Sequence, residues 1–147
     1  MSDLPALAKL GSVRDWMSRR PVTVSPAWVA ERVVRLMEAR GIRHVLVVEE
    51  ARLVGILSNR DVRRLLEIDP GLRPRAPVAQ IMTENPVTMA PSALLLEAAR
   101  AMLDGKIGAI PVVDDERVVG ILTMSDVLEA LVMWAEGRPS PAMPDVE

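Results

Sequence analysis

The chain repeats itself. "LVGILSNRDV" at 53–62 returns as "VVGILTMSDV" at 118–127. Sliding the sequence along itself by that offset sets Val13–Leu66 on Val78–Leu131 without a gap, and about one aligned pair in three is identical. An offset kept over so long a stretch means two copies of one structural unit, and each copy must fold in the same way.

Each copy reads as strand, helix, strand, strand, helix. "PVTVSP" is a short strand, and Ser25 with Pro26 is placed to open a helix. "AWVAERVVRLMEAR" (27–40) carries Val29, Val33, Leu36 and Met37 at helical spacing, with Gly41 as a stop. "ALLLEAARAMLD" (93–104) is its counterpart, with Gly105 as the expected stop. "HVLVV" and "RLVGIL" flank an acidic turn at Glu49 and Glu50, and "AIPVV" and "RVVGIL" flank Asp114 and Asp115, so each pair predicts a hairpin. Closing helices are expected near 59–67 and 124–135. A unit this small cannot bury both faces of its sheet alone. The expected architecture is therefore α+β, with two β-α-β-β-α repeats packed sheet to sheet about a pseudo-twofold axis. The boundaries are an N-terminal extension (1–12), repeat 1 (13–67), a Pro- and Gly-rich linker (68–77), repeat 2 (78–135) and a disordered tail (136–147).

Composition narrows the chemistry. Half of the residues are apolar, yet there are three Trp and no Phe or Tyr, so the core must be aliphatic. The absence of Cys excludes disulfides, thiolate metal sites and a thiol nucleophile. A net charge of −2 gives no broad basic field, which opposes nucleic-acid binding. The first residues lack a signal-peptide core and no apolar run is long enough to span a bilayer, so a cytoplasmic protein is expected. HExxH, Walker A and GxGxxG patterns are missing, and the single His44 has no evident nucleophile or triad partner, so no enzyme is expected.

Ser58-x-x-Asp61 and Thr123-x-x-Asp126 stand where strand gives way to helix. Read structurally, they are capping boxes with Asp in the acceptor place, favoured by the helix dipole. Read functionally, a helix N-terminus and a hydroxyl offer donors to a phosphate, and an Asp one turn on accepts from the vicinal hydroxyls of a ribose. Gly55 and Gly120 mark close approach of something to a strand, either a ligand or packed protein.

With these motifs in order, twice, the sequence resembles a tandem pair of CBS (cystathionine β-synthase) domains, a Bateman module, over about 13–132. "IPVVDD" with "VVGILTMSDVL", "HVLVVEE" with "LVGILSNRDV", and the opening phrases "WMSRRPVTVSP" and "IMTENPVTMAP" carry the resemblance. It implies adenine-nucleotide sites in the cleft between repeats. The first would use Ser58 and Asp61, with Arg43 and His44 as cationic phosphate contacts and Thr83, Val87 and Ile107 from the second repeat. The second would use Thr123 and Asp126 with Ser18, Val22 and Ile42. Gly108 and Ala109 replace Arg43 and His44 in the second copy, so the first site is expected to prefer phosphorylated ligands. The structural alternatives are a solvated cation at a helix end for Arg43 and a packed ring for His44.

The resemblance implies AMP, ADP or ATP as regulatory ligand, with S-adenosylmethionine or NAD as related candidates, and no required cofactor or metal. It also implies a homodimer through the closing helices, where Leu65, Leu66, Leu128, Leu131, Val132 and Trp134 fall, and an unidentified partner protein. The competing reading is a ligand-free adaptor whose repeats only form a docking surface.

Overall fold

The computed structural model describes residues 10–68 and 75–138. Parts of the expected extension, linker and tail (1–9, 69–74 and 139–147) lie outside the described residues. The elements follow the expected order in repeat 1; in repeat 2 a short helix at Val78–Ile81 and a strand at Thr83–Glu84 come first, and the expected opening strand is only the Met89–Val112 bridge. They are β1 (Thr23–Val24), α1 (Ala30–Arg40), β2 (His44–Glu49), β3 (Arg52–Ser58), α2 (Asn59–Ile68), α3 (Val78–Ile81), β4 (Thr83–Glu84), α4 (Leu95–Gly105), β5 (Ala109–Asp114), β6 (Arg117–Thr123) and α5 (Met124–Ala135).

Two compact units result, one around each repeat. Of the described residues, those of Pro21–Pro86 and Glu116–Val118 form the repeat-1 unit, and the others, including those up to Arg20, form the repeat-2 unit. In the repeat-1 unit a four-stranded sheet runs in the order β1-β2-β3-β4. β1 is parallel to β2, with Val24 opposite Val47, and β2 and β3 form the expected antiparallel hairpin, with His44 opposite Ser58. Its core holds Val24, Val33, Met37, Val45, Val47, Leu57, Val62 and Val78. In the repeat-2 unit β5 pairs with β6. Bridges Met89–Val112 and Ser18–Ile121 stand where the outer strands stand in the first unit. Val13, Trp16, Leu95, Met102, Ile110, Val112, Leu122 and Met133 fill that core. Both cores are aliphatic apart from Trp16, as the lack of Phe and Tyr requires.

The compact units are not the sequence repeats. The phrase that opens repeat 1 folds into the repeat-2 unit. The Val13 N–H donates to the Ala93 carbonyl at 2.8 Å, and Ser18 and Ile121 exchange both backbone bonds at 2.9 and 3.0 Å. The phrase that opens repeat 2 supplies α3 and β4 to the repeat-1 unit, where Thr83 lies opposite Ile56 and Glu84 opposite Gly55. Gly55 and Gly120 owe their identity to this arrangement. A Cβ on Gly55 would lie 2.6 Å from Met82 Sδ and 2.9 Å from the Thr83 carbonyl oxygen. On Gly120 it would lie 2.6 Å from Met17 Sδ and 2.7 Å from the Ser18 carbonyl oxygen. The close approach inferred from sequence is packed protein.

Two helix ends differ from expectation. α1 begins at Ala30, one turn late, because Ser25 instead closes a turn by accepting the Ala27 N–H at 3.2 Å. α4 includes Gly105 and ends on Lys106 in the left-handed conformation (φ 53°). Lys106 is the ungapped counterpart of Gly41 (φ 64°), so repeat register predicts the stop better than residue type does.

Candidate functional site

Both expected capping boxes form. In the first, the Ser58 N–H donates to Asp61 Oδ2 at 3.0 Å and the Asp61 N–H donates back to Ser58 Oγ at 3.1 Å. In the second, the Thr123 N–H donates to Asp126 Oδ2 at 2.7 Å and the Thr123 hydroxyl gives its proton to the same oxygen at 3.1 Å. A third box, not singled out in the sequence, lies at Ser12–Asp15. There the Ser12 N–H and hydroxyl both donate to Asp15 Oδ2, at 2.9 and 3.1 Å, ahead of a single 3-10 turn at Val13–Asp15. The four-residue pattern therefore specifies a cap wherever it occurs, and a ligand role must come from what surrounds it. The cap leaves room for one, because an ionised carboxylate has about four acceptor positions. The Ser58 hydroxyl, accepting in its cap, also keeps a proton to give. The Thr123 proton is spent on Asp126.

In the repeat-1 unit, seven of the expected residues gather at one end of the sheet, where β2 begins and β3 ends. His44 lies opposite Ser58, and the Asn59 N–H donates to the Arg43 carbonyl at 2.8 Å, tying the start of α2 to the start of β2. Ile42 immediately precedes Arg43 and is tied to α1 through its N–H on the Met37 carbonyl at 3.0 Å. On the flanking strands, the Val22 carbonyl accepts the Leu46 N–H at 3.0 Å, and Thr83 stands opposite Ile56. Arg43 is exposed, and His44, Ser58 and Asp61 are half-buried.

The repeat-2 unit holds the remaining five: Ser18, Val87, Ile107, Thr123 and Asp126. The same tie recurs, with the Met124 N–H on the Gly108 carbonyl at 2.9 Å. Each unit thus contains one full set of equivalent positions: Val22/Val87, Ile42/Ile107, Ser58/Thr123, Asp61/Asp126 and Thr83/Ser18. Val87 and Ile107 lie outside the unit of Ser58 and Asp61, and Val22 and Ile42 lie outside the unit of Thr123 and Asp126.

The electrostatics separate the two. Burial holds the His44 imidazole below its ordinary range. The Asp61 carboxylate opposes this, while Arg43 and Arg60 add to the fall. At neutral pH the ring is therefore uncharged in this structure, where the sequence reading expected a cation. The positive charge at this end of the sheet comes from Arg43. At the equivalent place in the second unit, Gly108 and Ala109 bring no charge. Among the described residues, no cluster of three or more His, Asp or Glu could hold a metal ion, and no helix is long and apolar enough to cross a membrane.

Comparison with known proteins agrees with this architecture. The CBS domain family model matches residues 13–68 and again 78–133. The CBS domain-containing protein YhcV of Bacillus subtilis is 30% identical over 118 residues, covering 80% of this chain and 84% of that protein. The chain belongs to the CBS-domain family and carries a tandem pair. Among solved structures, the CBS domain pair of protein MJ0100 is 28% identical with a TM-score of 0.75, over 82% of this chain and 95% of that one. That structure was determined in complex with 5'-methylthioadenosine and S-adenosyl-L-methionine. Protein MJ1225 from Methanocaldococcus jannaschii is 29% identical with a TM-score of 0.79, over 88% of this chain and 51% of that one.

Proposed function

We propose that this protein is a regulatory, non-enzymatic module that senses an adenosine-type ligand, an adenine nucleotide first of all, at the Ser58/Asp61 end of the repeat-1 sheet. The observation that carries the reading is the convergence there of four groups suited to different parts of one molecule. Asp61 accepts from ribose hydroxyls. Ser58 and the N-terminus of α2 donate to phosphate. Arg43 grips phosphate through charge-assisted bonds, and His44 adds a neutral donor beside it. Thr83, in the same unit, completes the contacts in this proposal. The adenosyl ligands of the MJ0100 pair support the ligand class.

The Thr123/Asp126 end has the ribose acceptor without an arginine, and Lys106 is the cation near it. In the same proposal it takes a less charged adenosyl ligand or none, with Ser18 from the same unit. Ligand binding shifts the chain between states by differential affinity. The output is pairing of two copies, or recognition of a partner protein, in the cytoplasm.

A thermal-shift panel of AMP, ADP, ATP, S-adenosylmethionine and NAD tests this. Ligand at about 100 times its dissociation constant stabilises by about 2.7 kcal/mol, a rise of roughly 5–10 °C for a chain of this size. Asp61→Ala removes the rise for the phosphorylated ligands and Asp126→Ala leaves it. The reverse pattern overturns the ranking of the two ends. No shift with any ligand leaves the adaptor reading in its place.

A further inference from the structure

A groove of about 440 Å³ lies between α1 and α2 in the repeat-1 unit, within the range of roughly 300–1,000 Å³ usual for small-molecule sites. Its floor is apolar: Val34 and Ile42 are half-buried there, and Met37 is buried. Its rim carries both signs of charge: Glu38 from the last turn of α1, Arg43 from the entry to β2, and Asn59 and Arg63 from α2. Asn59 and Arg63 are four residues apart and share one side of their helix, whereas Asp61, midway between them, stands on the opposite side. The groove is therefore a different place from the Ser58/Asp61 end, with Arg43 on the border of both.

The second repeat shows that this rim is not a requirement of the fold. Met37 and Ile42 of the floor recur as Met102 and Ile107, but Glu38, Arg43, Asn59 and Arg63 give way to Leu103, Gly108, Met124 and Leu128. Nor are the charges of the first rim spent on one another. Glu31 and Arg35 of α1 pair at 2.7 Å, and Arg100 and Asp104 of α4 at 3.8 Å. Among the described residues, Glu38, Arg43 and Arg63 form no ion pair, although they ring one hollow.

We infer that this groove is a second ligand site and that it takes a free α-amino acid with an aliphatic side chain. The carboxylate accepts charge-assisted bonds from the Arg43 and Arg63 guanidiniums, and a further bond from the Asn59 amide. The ammonium donates to Glu38. The side chain covers Val34, Met37 and Ile42. Other classes of ligand fit worse. A phosphate chain meets Glu38 as a like charge. An uncharged apolar molecule takes the three charges out of water and pairs none of them. A zwitterion with an apolar body gives every group of the rim a partner. This site goes beyond the adenosine reading and does not rest on it.

Isothermal titration of the full chain with L-leucine, in nucleotide-free buffer, tests the assignment. Saturable binding of one equivalent is expected. 4-Methylpentanoate, which lacks the ammonium, and 3-methylbutylamine, which lacks the carboxylate, bind at least about tenfold more weakly. Glu38→Leu with Arg63→Leu writes into the first groove two residues of the second. That variant loses leucine binding, with unchanged circular dichroism and an unchanged AMP-induced thermal shift. Should it aggregate, Glu38→Gln with Arg63→Gln gives the same loss without new apolar surface. Asp61→Ala does the reverse, removing the nucleotide shift and leaving leucine binding, so failure of either reading is visible by itself. No binding of L-leucine, L-isoleucine or L-valine overturns the proposal. Equal binding of leucine and 4-methylpentanoate overturns the amino acid as ligand. Leucine binding that survives both groove variants overturns the site.

Discussion

The two units share a plan and differ in what stands on it. Val24/Met89, Met37/Met102, Leu57/Leu122 and Val62/Val127 sit at equivalent places in the two folds, and each sheet-to-helix junction is closed by a hydroxyl–Asp cap. Elsewhere on that plan the copies part: Gly108 and Ala109 stand in the second copy where the first has Arg43 and His44, and Met124 and Leu128 where it has Asn59 and Arg63. The shared residues close helices, fill cores and admit a methionine against a glycine. The changed ones lie at exposed or half-buried positions at the ends of the sheets and the starts of the helices that follow. The two copies keep one scaffold and differ at the ends of the sheets, charged in one and apolar in the other.

Four substitutions probe that comparison. The largest effect is expected at Trp16, which is 8% exposed in the repeat-2 core and donates its indole N–H to the Leu10 carbonyl at 2.7 Å. Trp16→Ala costs about 3–5 kcal/mol by denaturant unfolding. Hydrogen exchange then shows β5 and β6 losing protection before β2 and β3. Loss in β2 and β3 first would contradict the assignment of the opening segment to the repeat-2 unit. Next come Gly55→Ala and Gly120→Ala, each costing about 1–3 kcal/mol through overpacking against Met82 or Met17 and a backbone carbonyl. Nearly equal losses support equivalence of the two sheets, and a twofold disparity breaks it.

The smallest effect is that of pH on the native protein. The folded pKa of His44 is lowered, so below the ordinary value near 6.5 the unfolded chain binds more protons than the folded one. Stability therefore rises with pH through that window and falls as pH drops. His44→Ala, which makes the first unit resemble the second, flattens this part of the profile. An unchanged slope in that variant would place the titration elsewhere.

The repeat and the periodicities made the fold legible, because period-2 and period-3.6 patterns survive in both copies. The caps were legible too, since their geometry is local. Lys106 shows where residue type misleads: Gly105 looks like the stop, but its counterpart in register is Arg40. The late start of α1 escaped because a serine can close a turn as readily as it can cap a helix. The exchange of opening segments left no local trace. Val13 reads as a core residue in either unit, and only Ala93 and Ile121, far along the chain, decide which. The charge of His44 was hidden for a similar reason, because burial depends on the strand opposite.

The lodging of residues 10–20 beside α4 and β6 bears on the order in which a ribosome releases this chain. Pro21–Pro86, apart from the short contribution of Glu116–Val118, has its partners within reach soon after it emerges. Val13 and Trp16 are translated earlier but must wait for Leu95, Leu122 and Met133 before they are covered. Val13 and Trp16 thus leave the exit tunnel well before the residues that cover them, and contacts so distant along the chain close slowly.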